Sequence, residues 1–273
     1  VSGAADRVQA PFGTREVRIA GTEQIGPYRV FSCRDPEGPL PQAGQFYMLA
    51  SAERWGGGSD ERPYLPRAIS VLAADDDQLS FALESVGPGT ERLAELEEGD
   101  GLRLLGPLGN GFTAPPDHAR SILCGGGIGL VPLAMLQHEH LAAGRKVCAL
   151  LGFRDAAHAA GAEFVSGAQV ATDDGSVGHG GLVTELLLTE LDRDSSAVIY
   201  ACGPPQMLDT VRAISVASGV QAQLALEAPM ACGYGACYGC VVKVTDGSYV
   251  RTCLDGPVIA ADQLAADWLL REG

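Results

Sequence analysis

The chain has 273 residues, 46% hydrophobic and 19% charged, which is globular composition and more length than one average hydrophobic core occupies, so two or three packed units are expected. A net charge of −15 disfavours nucleic acid and anionic membrane as partners, because both would repel it at long range, and no apolar run approaches the roughly 20 residues of a membrane span. Eight cysteines are too sparse for a disulfide scaffold, yet four of them crowd between positions 232 and 253, which points to a metal site.

In chain order, residues 1–13 lack the basic-then-apolar order of a secretory signal and read as a loose N-terminal extension, so a cytoplasmic protein is expected. Residues 14–116 hold short β-like runs at 16–20, 28–33, 45–50, 68–72, 79–83 and 101–105, which predicts an antiparallel β-barrel. The Gly/Ser stretch 56–59 predicts a loop, residues 91–96 a helix with Thr90 as its N-cap, and Pro115-Pro116 a linker. From 117 to 222 apolar runs at 121–123, 146–151, 168–172 and 197–201 alternate with helical segments at 130–143, 182–191 and 206–219. That alternation predicts an α/β domain with a parallel sheet. Residues 223–273 form a small unit rich in Gly and Cys, closing on an expected short helix at 261–270.

The spacing Cys232-x4-Cys237-x2-Cys240 followed by Cys253 has the form of plant-type [2Fe–2S] centres. Its glycines let the loop curl and aim N–H groups at sulfur, while the strand 241–244 and its return bring Cys253 back. Zinc also accepts four thiolates, but its sites usually come as two C-x2-C knuckles; disulfides are the remaining alternative. Cys33, Cys148 and Cys124 read as small buried hydrophobes.

Two glycine-bearing strand ends suggest a nucleotide crevice. Gly125, Gly126, Gly127 and Gly129 follow an apolar strand and open a helix, a setting suited to phosphate, though the strict G-x-G-x-x-G spacing is absent. Cys202, Gly203 and Pro204 end a second strand on what should be the same sheet edge.

These residues resemble the ferredoxin–NADP reductase superfamily, in which a flavin-binding barrel joins a nicotinamide-binding α/β domain. Arg67-Ala68-Ile69-Ser70 is similar to its flavin signature. That segment, with Gly87-Pro88-Gly89-Thr90, Gly106-Pro107-Leu108-Gly109-Asn110-Gly111-Phe112, the loop 125–132 and Met230-Ala231-Cys232-Gly233, resembles the electron-transfer subunits of type B dihydroorotate dehydrogenases. The resemblance covers residues 14–258. Ala68 stands where proline is usual, and Trp55-Gly56-Gly57-Gly58 reads as an insertion.

The resemblance implies an oxidoreductase of pyrimidine biosynthesis that binds FAD and a [2Fe–2S] cluster and uses NAD as substrate. Arg67 and Ser70 would hold the flavin pyrophosphate and ring edge, with Ala68 and Ile69 beside them; Gly89 and Thr90 would face phosphate, and Ala82, Leu83 and Glu84 would line the flavin. Cys202 would lie near the nicotinamide. The implied partner is an FMN-containing dihydroorotate dehydrogenase catalytic subunit, in a heterotetramer. A subunit of another NAD(P)H-dependent flavin and iron–sulfur reductase, such as a ferredoxin:NADP oxidoreductase or a sulfhydrogenase, is the competing enzyme reading, and a zinc-structured or redox-sensing module the non-enzymatic one. Arg154 leaves NAD against NADP open, since it could meet a 2′-phosphate or stand at the surface.

Overall fold

The computed structural model describes residues 13–56 and 63–268; most of the expected N-terminal extension, and Gly57 and Gly58 of the expected insertion, lie outside the described residues. The first unit contains β1 (Arg15–Ile25), β2 (Tyr28–Arg34), β3 (Phe46–Ser51), β4 (Arg67–Asp75), β5 (Gln78–Glu84), α1 (Pro88–Ala94) and β6 (Gly101–Leu108). Its strands close into an antiparallel barrel in the order β1-β2-β5-β4-β3-β6. Closure leaves no unpaired edge, and period-two alternation sends Phe31, Tyr47, Leu49 and Phe81 inward, all almost fully buried. One ion pair is buried with them. Arg15 donates from Nε to Asp35 Oδ1 at 2.7 Å and from Nη2 to Asp35 Oδ2 at 2.6 Å, and to the Gly106 carbonyl at 2.6 Å.

The second unit runs β7 (Arg120–Gly126), α2 (Leu130–Ala142), β8 (Val147–Phe153), β9 (Gln169–Thr172), β10 (His179–Gly180), α3 (Val183–Arg193), β11 (Ala197–Cys202), α4 (Pro205–Ser218) and β12 (Ala222–Ala225). The remaining strands are β13 (Val241–Lys243), β14 (Tyr249–Arg251) and β15 (Val258–Ala260). The large sheet has the order β10-β9-β8-β7-β11-β12-β15, parallel throughout except for β15. α2 lies between this sheet and the barrel, which explains why residues 130–136 are apolar without a polar face: all seven are buried. α3, exposed on one side, keeps the amphipathic spacing Val183, Leu187, Leu191. One hydrophobic core therefore continues from the barrel through α2 to the inner face of the sheet.

Three expectations need correction. The boundary at 222/223 falls inside β12, because that strand pairs with β11 on one side and β15 on the other, so the sheet recruits the C-terminal segment. The helix expected at 261–270 is a single 3-10 turn, Ala261–Gln263. Two of its backbone groups are spent elsewhere, with Thr245 N–H donating to the Gln263 carbonyl and Ala265 N–H to the Lys243 carbonyl, while Leu264 and Trp268 N–H close only i→i−3 turns, so no i→i−4 ladder forms. Leu269 and Leu270 of that expectation lie outside the described residues. Thr90 is not an N-cap, since Pro88 starts α1 and Gly87 occupies the cap. Thr90 sits in the first turn, where its hydroxyl donates to the Gly87 carbonyl at 3.1 Å and accepts the Val86 N–H at 2.9 Å.

Candidate functional site

The cysteine loop leaves β12 and folds back over β3 and β6 of the barrel. Cys240 and Cys253 are buried there with Phe46, Met48 and Leu108, and their sulfurs lie 3.2 Å apart. β13 and β14 set that pair, because Cys240 precedes one strand and Cys253 follows the other, with Thr252 N–H donating to the Cys240 carbonyl. Cys232 and Cys237 form a second, more exposed pair. Ala236 N–H points at Cys232 Sγ from 3.3 Å and Gly239 N–H at Cys237 Sγ from 3.5 Å. Burial opposes ionisation of Cys232, but N–H groups of Cys237, Tyr234 and Ala236 outweigh it and bring the thiol down to about 7. Burial, with Cys240 beside it, pushes Cys253 up to about 12.

Two thiol pairs suit a two-iron centre, since each iron takes two thiolates, and amide donors aimed at sulfur suit an anionic cluster. Gly233 at φ 78° makes the loop possible: a Cβ there would lie 2.5 Å from the Met48 side chain. Asn110 clamps the loop to the barrel, donating from Nδ2 to the Leu254 and Asp255 carbonyls at 3.2 and 3.1 Å.

Beside this loop, β4 presents the Arg67–Ser70 segment. Its register pairs Ser70 with Phe46 and Ala68 with Met48, so these two share the strand face turned to the cysteine core, while Arg67 and Ile69 pair with Leu49 and Tyr47 on the other. Arg67 lies across the start of α1. A Cβ at Gly89 would sit 2.2 Å from Arg67 Nε, so only glycine admits the guanidinium there. Arg67 Nη1 donates to the Leu65 carbonyl at 2.6 Å and its guanidinium lies 5.9 Å from the Trp55 ring centre. A guanidinium fork beside a helix start is chemistry suited to a diphosphate. A cleft of about 440 Å³, lined by Met48, Trp55, Leu65, Pro66, Cys232 and Tyr234, borders the cysteine loop and the residues just before this segment, but Arg67, Ala68, Ile69 and Ser70 do not line it. Ala82 and Leu83 are buried in the barrel, whereas Glu84, at the end of β5, reaches the α/β unit.

A second cleft of about 400 Å³ opens at the carboxyl ends of β7, β8 and β11. Gly126, Gly127 and Pro204 line it; Gly125, Gly129, Cys202 and Gly203 do not. A Cβ at Gly129 would stand 2.3 Å from the Cys202 carbonyl oxygen and one at Gly125 2.8 Å from Leu151, so these glycines bring the helix start onto the sheet. Burial pushes the Cys202 thiol up to about 12, with Glu227 adding to it. The cleft also takes in Phe153, Arg154, His158, Asp173, Thr184 and Gln206, none of which sequence reasoning placed in a binding site except Arg154. A carboxylate just after a parallel strand was the available signal for Asp173, missed because it follows the third strand rather than the second.

Arg154 is surrounded by acids: Asp155 Oδ2 lies 3.3 Å from its Nε and Glu84 Oε1 3.9 Å from its Nη2. The hydrogen bond from His158, then the His158 N–H, holds the Asp155 carboxyl down at about 2. The cleft is thus an open-sheet crevice with backbone glycines at its floor and carboxylates at its rim, a shape that takes a dinucleotide with free ribose hydroxyls.

Residues 227–265 match the iron–sulfur cluster binding domain of dihydroorotate dehydrogenase B, which takes in all four clustered cysteines. The electron transfer subunit of dihydroorotate dehydrogenase B (NAD(+)) from Caldanaerobacter subterraneus subsp. tengcongensis is 35% identical over 84% of this chain and 89% of its own length. The corresponding subunit of Geobacillus kaustophilus is 38% identical over 82% and 87%. Among solved structures, an NADH-dependent reduced ferredoxin-NADP oxidoreductase described for flavin-based electron bifurcation superposes with a TM-score of 0.79 and 25% identity, covering 95% of this chain and 93% of that one. A ferredoxin reductase of carbazole 1,9a-dioxygenase, 21% identical with a TM-score of 0.64 over 76% and 66%, shares the fold.

Proposed function

Since this chain belongs to the family of electron-transfer subunits of dihydroorotate dehydrogenase B, we propose that it passes electrons between a catalytic partner and NAD through a [2Fe–2S] cluster and FAD. What supports the reading is that one fold carries paired thiols, the Arg67–Ser70 segment on the strand beside them, and a glycine-floored cleft at the carboxyl edge of the parallel sheet. When bound, flavin supplies the exchange between a two-electron hydride and single electrons, and the cluster supplies one-electron transfer. Cys232, Cys237, Cys240 and Cys253 hold the cluster in this reading. Arg67, admitted by Gly89, would neutralise the FAD pyrophosphate, and Ser70 with Ala68, on the strand face turned to the thiols, would contact the flavin.

Gly126, Gly127 and Pro204 floor the NAD cleft. Glu84 and Asp155 beside Arg154, with Asp173 on the same cleft, set carboxylates where a 2′-phosphate would add further negative charge, which favours NAD over NADP. Cys237, Tyr234 and Tyr238 are exposed over the thiols and offer the face on which an FMN-containing catalytic subunit docks, two copies of each chain forming a heterotetramer. Among the described residues no helix is long and apolar enough to cross a membrane. Nothing in this assembly requires a site for dihydroorotate on this chain.

The test is reconstitution. The purified chain, carrying FAD, reduces artificial acceptors with NADH but leaves dihydroorotate untouched until the catalytic subunit is added; dihydroorotate oxidation by this chain alone would overturn the scheme. A second reading, a subunit of another NAD(P)H-dependent flavin and iron–sulfur reductase, draws on the near-complete overlap with the bifurcating oxidoreductase. The partner that co-purifies separates the two.

A further inference from the structure

His158 lies at the seam between the two larger units, on the 3-10 segment His158–Phe164 that follows β8. It is 7% exposed. Its Nδ1 lies 2.6 Å from Asp155 Oδ1 within the α/β unit, and its Nε2 lies 3.2 Å from Glu84 Oε1 of the barrel. A neutral imidazole has one N–H, so it can donate to only one of these carboxylates; both bonds together require the imidazolium. The Arg154 Nε, 3.2 Å from His158 Nδ1, cannot donate to a protonated nitrogen and has Asp155 Oδ2 as its partner instead. Around the ring the seam is tight: a Cβ at Gly161 would lie 2.7 Å from the Tyr28 ring, and one at Gly26 2.6 Å from the Ala157 carbonyl. Tyr28 packs edge-on to the imidazole at 6.2 Å. Glu84, Arg154 and His158 all border the candidate NAD cleft.

We propose that His158 is a positioning residue which, as an imidazolium bridging Glu84 and Asp155, holds the flavin barrel against the nucleotide cleft and so sets the alignment for NAD. The inference rests on the assignment of this cleft to NAD. The charged and titratable groups facing the ring are Glu84 from β5, Tyr28 from β2, and Arg154 and Asp155 from the end of β8, with Asp173 on the same cleft. Loss of the ring proton leaves two carboxylates competing for one N–H, and the bond that spans the units is the longer one. The seam then loosens at Glu84 while Asp155 keeps its partner.

The experiment measures NAD+ affinity of the FAD-loaded protein by equilibrium dialysis between about pH 5.5 and 9. It is paired with amide hydrogen exchange of residues 157–164 in the same samples. In the wild type, affinity falls roughly tenfold as the proton is lost, the size of one charge-assisted hydrogen bond, and the segment exchanges faster beyond its intrinsic pH dependence. H158Q and E84Q each bind weakly and with little pH response, and the flavin spectrum reports that they are folded. A wild-type pH response retained in H158Q overturns the inference while leaving the NAD assignment intact. Wild-type protein that binds no NAD+ at any pH overturns both. Should H158Q fail to fold, wild-type exchange of 157–164 that follows only its intrinsic pH dependence is the overturning result.

Discussion

His140 on α2 shows how far burial moves one side chain. It is 4% exposed, its Nδ1 lies 2.8 Å from Ser121 Oγ, and its ring meets Tyr200 edge-on at 5.2 Å. Burial, with Arg145 nearby, pushes its imidazole down from 6.5 to about 4. Between those values the unfolded chain carries the proton and the fold does not. The stabilisation is therefore complete above the unfolded value and is lost progressively as the pH falls toward 4, a cost on the order of 3 kcal/mol. Urea unfolding at about pH 7 and 4.5 should show wild-type stability dropping and His140→Gln dropping less; equal losses would contradict the burial account. None of this was legible beforehand, because nothing in His138-Glu139-His140 separates the buried imidazole from its exposed neighbour. The same holds for Arg15 and Asp35, partners 20 positions apart. The grouping of Cys232, Cys237, Cys240 and Cys253 was legible because the proposed thiolate ligation constrains both residue type and spacing, and residues 227–265 match a cluster-binding domain.

At the scale of elements, the sheet and barrel followed from periodicity, and the glycine loop from its place between strand and helix. What periodicity could not divide was the glycine loop itself, in which two members floor the cleft and two serve packing. Substitution separates the roles. A methyl at Gly129 meets the backbone of Cys202, which cannot yield, so Gly129→Ala should cost about 1–3 kcal/mol in urea unfolding. The nearest atoms to a methyl at Gly89 all belong to the Arg67 side chain, which can move, so Gly89→Ala should leave stability within about 1 kcal/mol but displace the guanidinium and weaken flavin retention. Arg67→Ala should weaken retention as well. Heat release and chromatography of the flavin check both, and full FAD retention in the two variants would contradict the pyrophosphate assignment. The C-terminal helix at 261–270 misled because Leu264 and Trp268 bury at helical spacing while the backbone between them pairs with β13. The spacing was that of a buried edge.

For the whole molecule, one core runs through α2 from barrel to sheet, and the cysteine segment is fixed to both, by Asn110 to the barrel and by β15 to the sheet. The packed units expected from the chain's length thus share a core, a consequence of long-range pairing that no local pattern carries. The most direct measurement is anaerobic addition of NADH to the chain carrying its flavin and cluster, followed by visible and electron paramagnetic resonance spectra. The account predicts flavin bleaching together with the signal of a reduced [2Fe–2S] centre, and, in serine variants of Cys232, Cys237, Cys240 or Cys253, bleaching with that signal lost. Full cluster signal in all four variants, or a cluster that NADH cannot reduce even with flavin and the catalytic partner bound, would contradict it.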